Sequence, residues 1–136
     1  SNAMDVGNPS NFIRIKSLFN NDFDALKAHF SSFSFDDTQT RSALKSLYNN
    51  SGYIADPHGA VGYLGLEKYM KTHPDTYGVL LETAHPTKFL DVVEDVIKTK
   101  VALPPQIKAV MNKEKVATSI SNYEELKSFL IKKNTV

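Results

Sequence analysis

Two short polar clusters hold the side chains best suited to act on a ligand: Asp56-Pro57-His58 and Glu82-Thr83-Ala84-His85. Each follows an apolar run, Tyr53-Ile54-Ala55 in the first case and Tyr77-Gly78-Val79-Leu80-Leu81 in the second. A carboxylate beside one imidazole, and a hydroxyl beside another, supply groups that accept, donate and hold protons. Asp56, His58 and His85 are also types that bind zinc or iron. Nothing in their spacing fixes a common centre, and helix capping or strand-end hydrogen bonding accounts for each singly, so no metal site is assigned. The chain has no Gly-x-Ser-x-Gly elbow, no Walker loop and no His-Glu-x-x-His. Hydrolase and nucleotide-phosphate chemistry therefore lack their minimum sets. No nucleophile is paired with a base, and no catalytic residue is assigned within this chain.

Gly59, Gly62 and Gly65 recur at i, i+3 and i+6, on one face of an expected helix. Each interior glycine costs about 1 kcal/mol against alanine, so the stripe implies close approach by a strand or by a ligand. Tight packing is the simpler reading. The spacing is not the Gly-x-Gly-x-x-Gly of dinucleotide sites, although the first N–H groups of such a helix can receive an anion.

The elements that position these clusters follow from hydrophobic period and punctuation. Apolar residues at helical spacing predict short helices from Phe12 and over Asp22 to Phe30. A longer helix is capped by Asp36 or Asp37, carries Ala43, Leu44, Leu47 and Tyr48 inward, and stops at Gly52. Asp56-Pro57-His58 turns into a helix from about Gly59 to Lys71. Pro86 opens another, with Phe89, Val92, Val93, Val96 and Ile97 on one face. Pro104-Pro105 introduces a short helix to about Met111, and Ser121 or Asn122 caps a last one, Tyr123 to Ile131. Strands are expected at Tyr53–Ala55, Tyr77–Glu82 and Val116–Ile120. Strands alternating with helices imply an α/β fold with a parallel sheet flanked by helices. Ligands in such sheets gather beyond the carboxyl ends of the strands, where both polar clusters fall.

Sixteen basic against fifteen acidic side chains leave a net charge of +1, which gives no electrostatic footprint for nucleic acid or anionic lipid. No apolar run is long enough to span a bilayer and no signal peptide is visible. Zero cysteines exclude a disulfide framework and fit a cytoplasmic protein. Ser1-Asn2-Ala3 reads as a tag-cleavage scar, leaving residues 4–136 as a single piece; Met4 is either a native start or an internal residue.

Three segments, Met4-Asp5-Val6-Gly7-Asn8-Pro9-Ser10-Asn11-Phe12, Asp56-Pro57-His58-Gly59-Ala60-Val61-Gly62 and Glu82-Thr83-Ala84-His85-Pro86-Thr87-Lys88-Phe89, together resemble the carboxy-terminal part of the threonine synthase family, in its microbial and fungal branch. The resemblance implies the C-terminal part of a tryptophan-synthase-like, fold-type II enzyme that uses pyridoxal 5'-phosphate to convert O-phospho-L-homoserine and water to L-threonine and phosphate, a step of threonine biosynthesis. It implies that Thr83 hydrogen-bonds the pyridine nitrogen, against the plainer alternative of a local backbone contact. A neutral hydroxyl there makes a weaker electron sink, which favours elimination and replacement over transamination. His85 and Lys88 then fix that turn or reach substrate phosphate, with a solvated helix charge the simpler reading for Lys88. Asp56 and His58 shape the cleft floor or merely cap the helix. The family's Schiff-base lysine and its cofactor-phosphate loop match nothing here and belong upstream. The isolated piece is thus expected to be inactive, to bind no cofactor, to need the upstream segment of its own chain, and to self-associate through an uncovered edge. The rivals are a stand-alone non-catalytic binding module and a related pyridoxal-phosphate phospho-lyase.

Overall fold

The computed structural model describes residues 9–133, so the readings made for the tag scar, for Met4 and for most of the Met4–Phe12 segment lie outside the described residues. The chain divides into two compact units that meet in sequence between Ala102 and Leu103.

In the first unit, α1 (Phe12–Leu18) and α2 (Phe23–His29) precede α3 (Asp37–Ser51), α4 (Pro57–Met70), a 3₁₀ turn at Pro86–Phe89 and α5 (Leu90–Ile97). Local sequence explains most of the boundaries. Asp36 and Gln39 form a reciprocal capping box: the Gln39 amide donates to Asp36 Oδ1 at 2.8 Å and the Asp36 amide to Gln39 Oε1 at 2.9 Å, satisfying two otherwise orphaned donors. Gly52 ends α3 at φ +70°, a left-handed conformation free of steric cost only for glycine. Asp22 caps α2 through the Ala25 amide at 3.0 Å. The core lies among α3, α4 and α5. Ala43, Leu44, Ala55 and Ala60 are buried together, with Leu47, Tyr63, Leu64, Val92 and Val96 packed against them. Val93 and Ile97 are the buried residues of α5, on the face that its apolar spacing predicts. Burying a side chain such as Leu44 or Val93 is worth about 1.5–3 kcal/mol. The Arg41–Asp95 ion pair between α3 and α5, at 2.8 Å, is exposed and contributes far less.

The second unit holds α6 (Pro105–Lys108) and α7 (Tyr123–Lys133). Asn122 is the residue that caps α7, accepting the Glu125 amide at 3.0 Å while the Glu125 carboxylate returns to the Ser121 amide at 2.8 Å.

The expected α/β architecture is overturned. No strand forms among the described residues, and the ordered elements are all helical. The reason is visible in the second apolar run. Its alternation is real: Leu80 packs on Gly62, and Gly78 sits under Leu66 and Met70 of α4. The opposite side is bare, with Tyr77, Val79 and Leu81 102%, 81% and 77% exposed. A period of two reports one face buried; it does not supply the neighbouring chain whose N–H and C=O groups make a ladder. Tyr53–Ala55 is likewise a run that buries Ala55 against helices, and Val116 is 94% exposed. Two smaller corrections concern helices: Pro86 opens a 3₁₀ turn before the α-helix begins at Leu90, and α6 ends at Lys108 rather than near Met111.

Candidate functional site

The start of α4 is built on a fully buried carboxylate. Asp56 is 0% exposed, and its Oδ1 accepts the His58 amide at 2.6 Å, the Gly59 amide at 3.3 Å and His58 Nδ1 at 3.2 Å. Pro57 at the first helical position has no N–H to satisfy and is pre-set in φ. The helix entry therefore needs an Asp or similar acceptor at residue 56. His58 is held from the other side by Phe89, with ring centroids 5.1 Å apart.

Glu82 joins the two polar clusters. Its Oε1 accepts the Asp56 backbone amide at 3.3 Å, and its carboxylate lies so close over Gly59 that a methyl group there would overlap it. The glycine stripe is thus explained at two of its positions by close approach of the 80–82 segment, with Gly59 under Glu82 and Gly62 under Leu80. One oxygen of each acid, Asp56 Oδ2 and Glu82 Oε2, is buried with no hydrogen-bond partner among the described residues. Desolvation, reinforced by the Asp56 charge, pushes the Glu82 carboxyl above its usual range, against the pull of the Asp56 amide and of His58. Desolvation and the same two acids raise the Tyr53 phenol.

Beyond Glu82 the chain opens into a cleft of about 630 Å³ lined by Tyr53, Ile54, Glu82, Thr83, Ala84, His85, Pro86, Val101 and Ala102, all of the first unit. His85 caps the 3₁₀ turn: its Nδ1 accepts the Thr87 amide at 3.2 Å and lies 2.9 Å from Thr87 Oγ1. An accepting Nδ1 leaves the ring proton on Nε2. The Thr83 hydroxyl engages no other group among the described residues. The cleft walls are largely apolar, with the Tyr53 and Thr83 hydroxyls, one carboxyl and one imidazole placed among them, the usual make-up of a small-molecule site.

Of the residues singled out from sequence, Thr83 and His85 line this cleft together. Asp56 and His58 do not line it; they lie at the α4 entry and reach the cleft through Glu82. Lys88 is exposed, outside the lining and without an ion pair among the described residues. Among the same residues no group of three or more His, Cys, Asp or Glu is arranged to hold a metal ion, and no helix is long and apolar enough to cross a membrane. Sequence reasoning missed Glu82 and Tyr53 as site residues. The signal for Glu82 was present: it shares the inward parity of Gly78 and Leu80, opposite a glycine three residues along the stripe.

Comparison with known proteins gives this cleft a context. Residues 59–130 match the family model described as threonine synthase, C-terminal. Threonine synthase of Buchnera aphidicola from Schizaphis graminum is 36% identical over 135 residues, covering 98% of this chain and 30% of that protein. The Escherichia coli K12 enzyme is 36% identical over 107 residues, covering 79% and 24% respectively. The crystal structure of Escherichia coli threonine synthase superposes with a TM-score of 0.74 at 28% identity, over 98% of this chain and 30% of that one. A PLP-bound threonine synthase from Brucella melitensis shares the fold more distantly, with a TM-score of 0.55 at 21% identity. The chain spans about 30% of the length of the first of these relatives. With more than half its length inside the family model, the chain belongs to the threonine synthase C-terminal family.

Proposed function

We propose that this chain forms one wall of the cofactor cleft of a cytoplasmic threonine synthase, within an enzyme that converts O-phospho-L-homoserine and water to L-threonine and phosphate. The observation that carries the reading is the Thr83 hydroxyl, uncommitted among the described residues and set in a largely apolar cleft. That donor set fits pyridoxal 5'-phosphate. A flat heteroaromatic ring would find apolar walls in Ile54, Ala84, Pro86 and Val101, and Thr83 would offer its ring nitrogen a neutral donor. When bound, the cofactor supplies the electron sink for elimination and replacement at the substrate's side chain. Thr83 orients it and, being neutral, leaves the nitrogen without a proton source. His85 braces the Thr83 turn by capping Thr87 and keeps its Nε2 proton available to the cleft. Glu82 and the Asp56-capped helix entry hold that turn in place. Lys88 is assigned no contact, because its plainer reading as a solvated charge agrees with its exposure.

Among the described residues no lysine lines the cleft, which agrees with a cofactor-anchoring lysine in the upstream part of the parent protein; on that reading this piece alone is inactive. The isolated chain then self-associates through the bare Tyr77, Val79 and Leu81 row; a monomeric sedimentation profile at high concentration would remove that point. The functional reading is tested in the full-length parent by replacing Thr83 with Val and with Ser. Thr83→Val should weaken cofactor retention and slow phosphate release by 10-fold or more, an order-of-magnitude figure for a charge-stabilising hydrogen bond. Thr83→Ser should retain most of both. Equal behaviour of Thr83→Val and wild type would refute the assignment.

A further inference from the structure

We propose that Glu82 is a positioning residue whose protonated form donates to Asp56 and so clasps the turn holding Thr83 to the start of α4. An ionised carboxylate only accepts. Asp56 and Glu82 each bury one oxygen with no donor in reach among the described residues, Oδ2 and Oε2, while the Asp56 amide already ties Glu82 Oε1 to the same place. Buried polar atoms without partners are rare, and each calls for an explanation.

A single proton resolves both. Asp56 Oδ1 takes the donors of the first turn of α4 and of His58, so that group is committed as an acceptor. Among the described residues Glu82 accepts only one long backbone bond and is the acid left to hold the proton. Its Oε2–H then donates to Asp56 Oδ2, and two orphaned acceptors become one hydrogen bond. The packing agrees, since Gly59 gives the carboxyl a seat with no room for a methyl group. The titratable groups facing it are Tyr53 from the preceding segment and Asp56 and His58 from the entry to α4. The raised affinity of Glu82 for its proton arises chiefly from desolvation and then from Asp56, with His58 opposing. The consequence for Thr83 rests on the functional reading above; the proton-holding clasp does not.

The test uses this chain labelled with ¹³C at the glutamate carboxyls, followed by NMR through a pH titration, with thermal melting of wild type, Glu82→Gln and Glu82→Ala alongside. Glu82 should titrate above the ordinary glutamate range. Because its folded-state affinity for the proton is raised, the stability it confers is full below the unfolded glutamate range and lost as pH rises through the folded midpoint. The wild-type melting temperature should therefore fall across that window. Glu82→Gln keeps the acceptor for the Asp56 amide and supplies a permanent donor to Oδ2, so it should melt like protonated wild type with that pH dependence removed. Glu82→Ala should melt lower and increase amide exchange over residues 83–85. A Glu82 midpoint in the ordinary range, or Glu82→Gln as destabilised as Glu82→Ala, would overturn the proposal. Neither readout involves cofactor or substrate, so failure here is distinguishable from failure of the role given to Thr83.

Discussion

Replacing Gly59 with alanine puts a methyl group where the Glu82 carboxylate rests, and the structure fixes both sides of the energy balance. Position 59 lies in the first turn of α4, where exchanging glycine for alanine should gain about 0.5–1 kcal/mol in backbone terms. Against that stands an overlap with the Glu82 carboxyl, and overpacking of a tight site costs about 1–3 kcal/mol. The carboxyl is the end of a flexible side chain and escapes by swinging into the cleft, but the move leaves the Asp56 amide without its partner, a loss of about 1–3 kcal/mol for a buried donor. The single variant should thus be destabilised by up to about 2.5 kcal/mol once the helix gain is subtracted. In a Glu82→Ala background the obstacle is gone, and the same Gly59→Ala change should stabilise by about 0.5–1 kcal/mol. Urea denaturation of the four proteins of this cycle gives the coupling directly. An identical effect of Gly59→Ala in both backgrounds would refute the contact and with it the explanation of the first glycine of the stripe.

Other consequences are simpler. Asp56→Ala removes the cap from α4 and should cost about 1–2 kcal/mol by denaturant titration, whereas Asp56→Asn keeps the acceptor, offers a donor toward Glu82, and should cost less than half as much. The Glu94 carboxyl is held below its usual range by Lys100, whose Nζ lies 2.6 Å away, and then by the Val101 amide. Its contribution to stability is therefore present above the unfolded glutamate range and fades as pH falls through the depressed folded value. Lys100→Ala should raise the Glu94 midpoint by NMR titration, and an unchanged midpoint would show that the pair does not persist in solution.

Helices were legible from sequence because their determinants are local. The Asp36–Gln39 box, Gly52 past the end of α3, Pro57 and Pro86 at helix starts and the apolar face of α5 all act within a few residues. The sheet was misread because period-two patterning reports which face is buried and says nothing about a partner chain. Leu80 and Gly78 obey that pattern by packing on α4, and the ladder it suggested is absent among the described residues. The two polar clusters were found, but their connection was not. It runs through Glu82, whose importance depends on burial against Gly59 and Asp56, 26 residues away in the chain for the latter, a separation that no local pattern encodes. The glycine stripe carried half of that information and lacked the identity of what it accommodates.

The central proposal is that the parent of this chain converts O-phospho-L-homoserine and water to L-threonine and phosphate. It is tested most directly by supplying O-phospho-L-homoserine to the full-length, cofactor-loaded parent protein and quantifying both products. The account predicts L-threonine and phosphate in equal amounts. A cofactor-loaded protein that releases neither, or that releases phosphate without threonine, would contradict it.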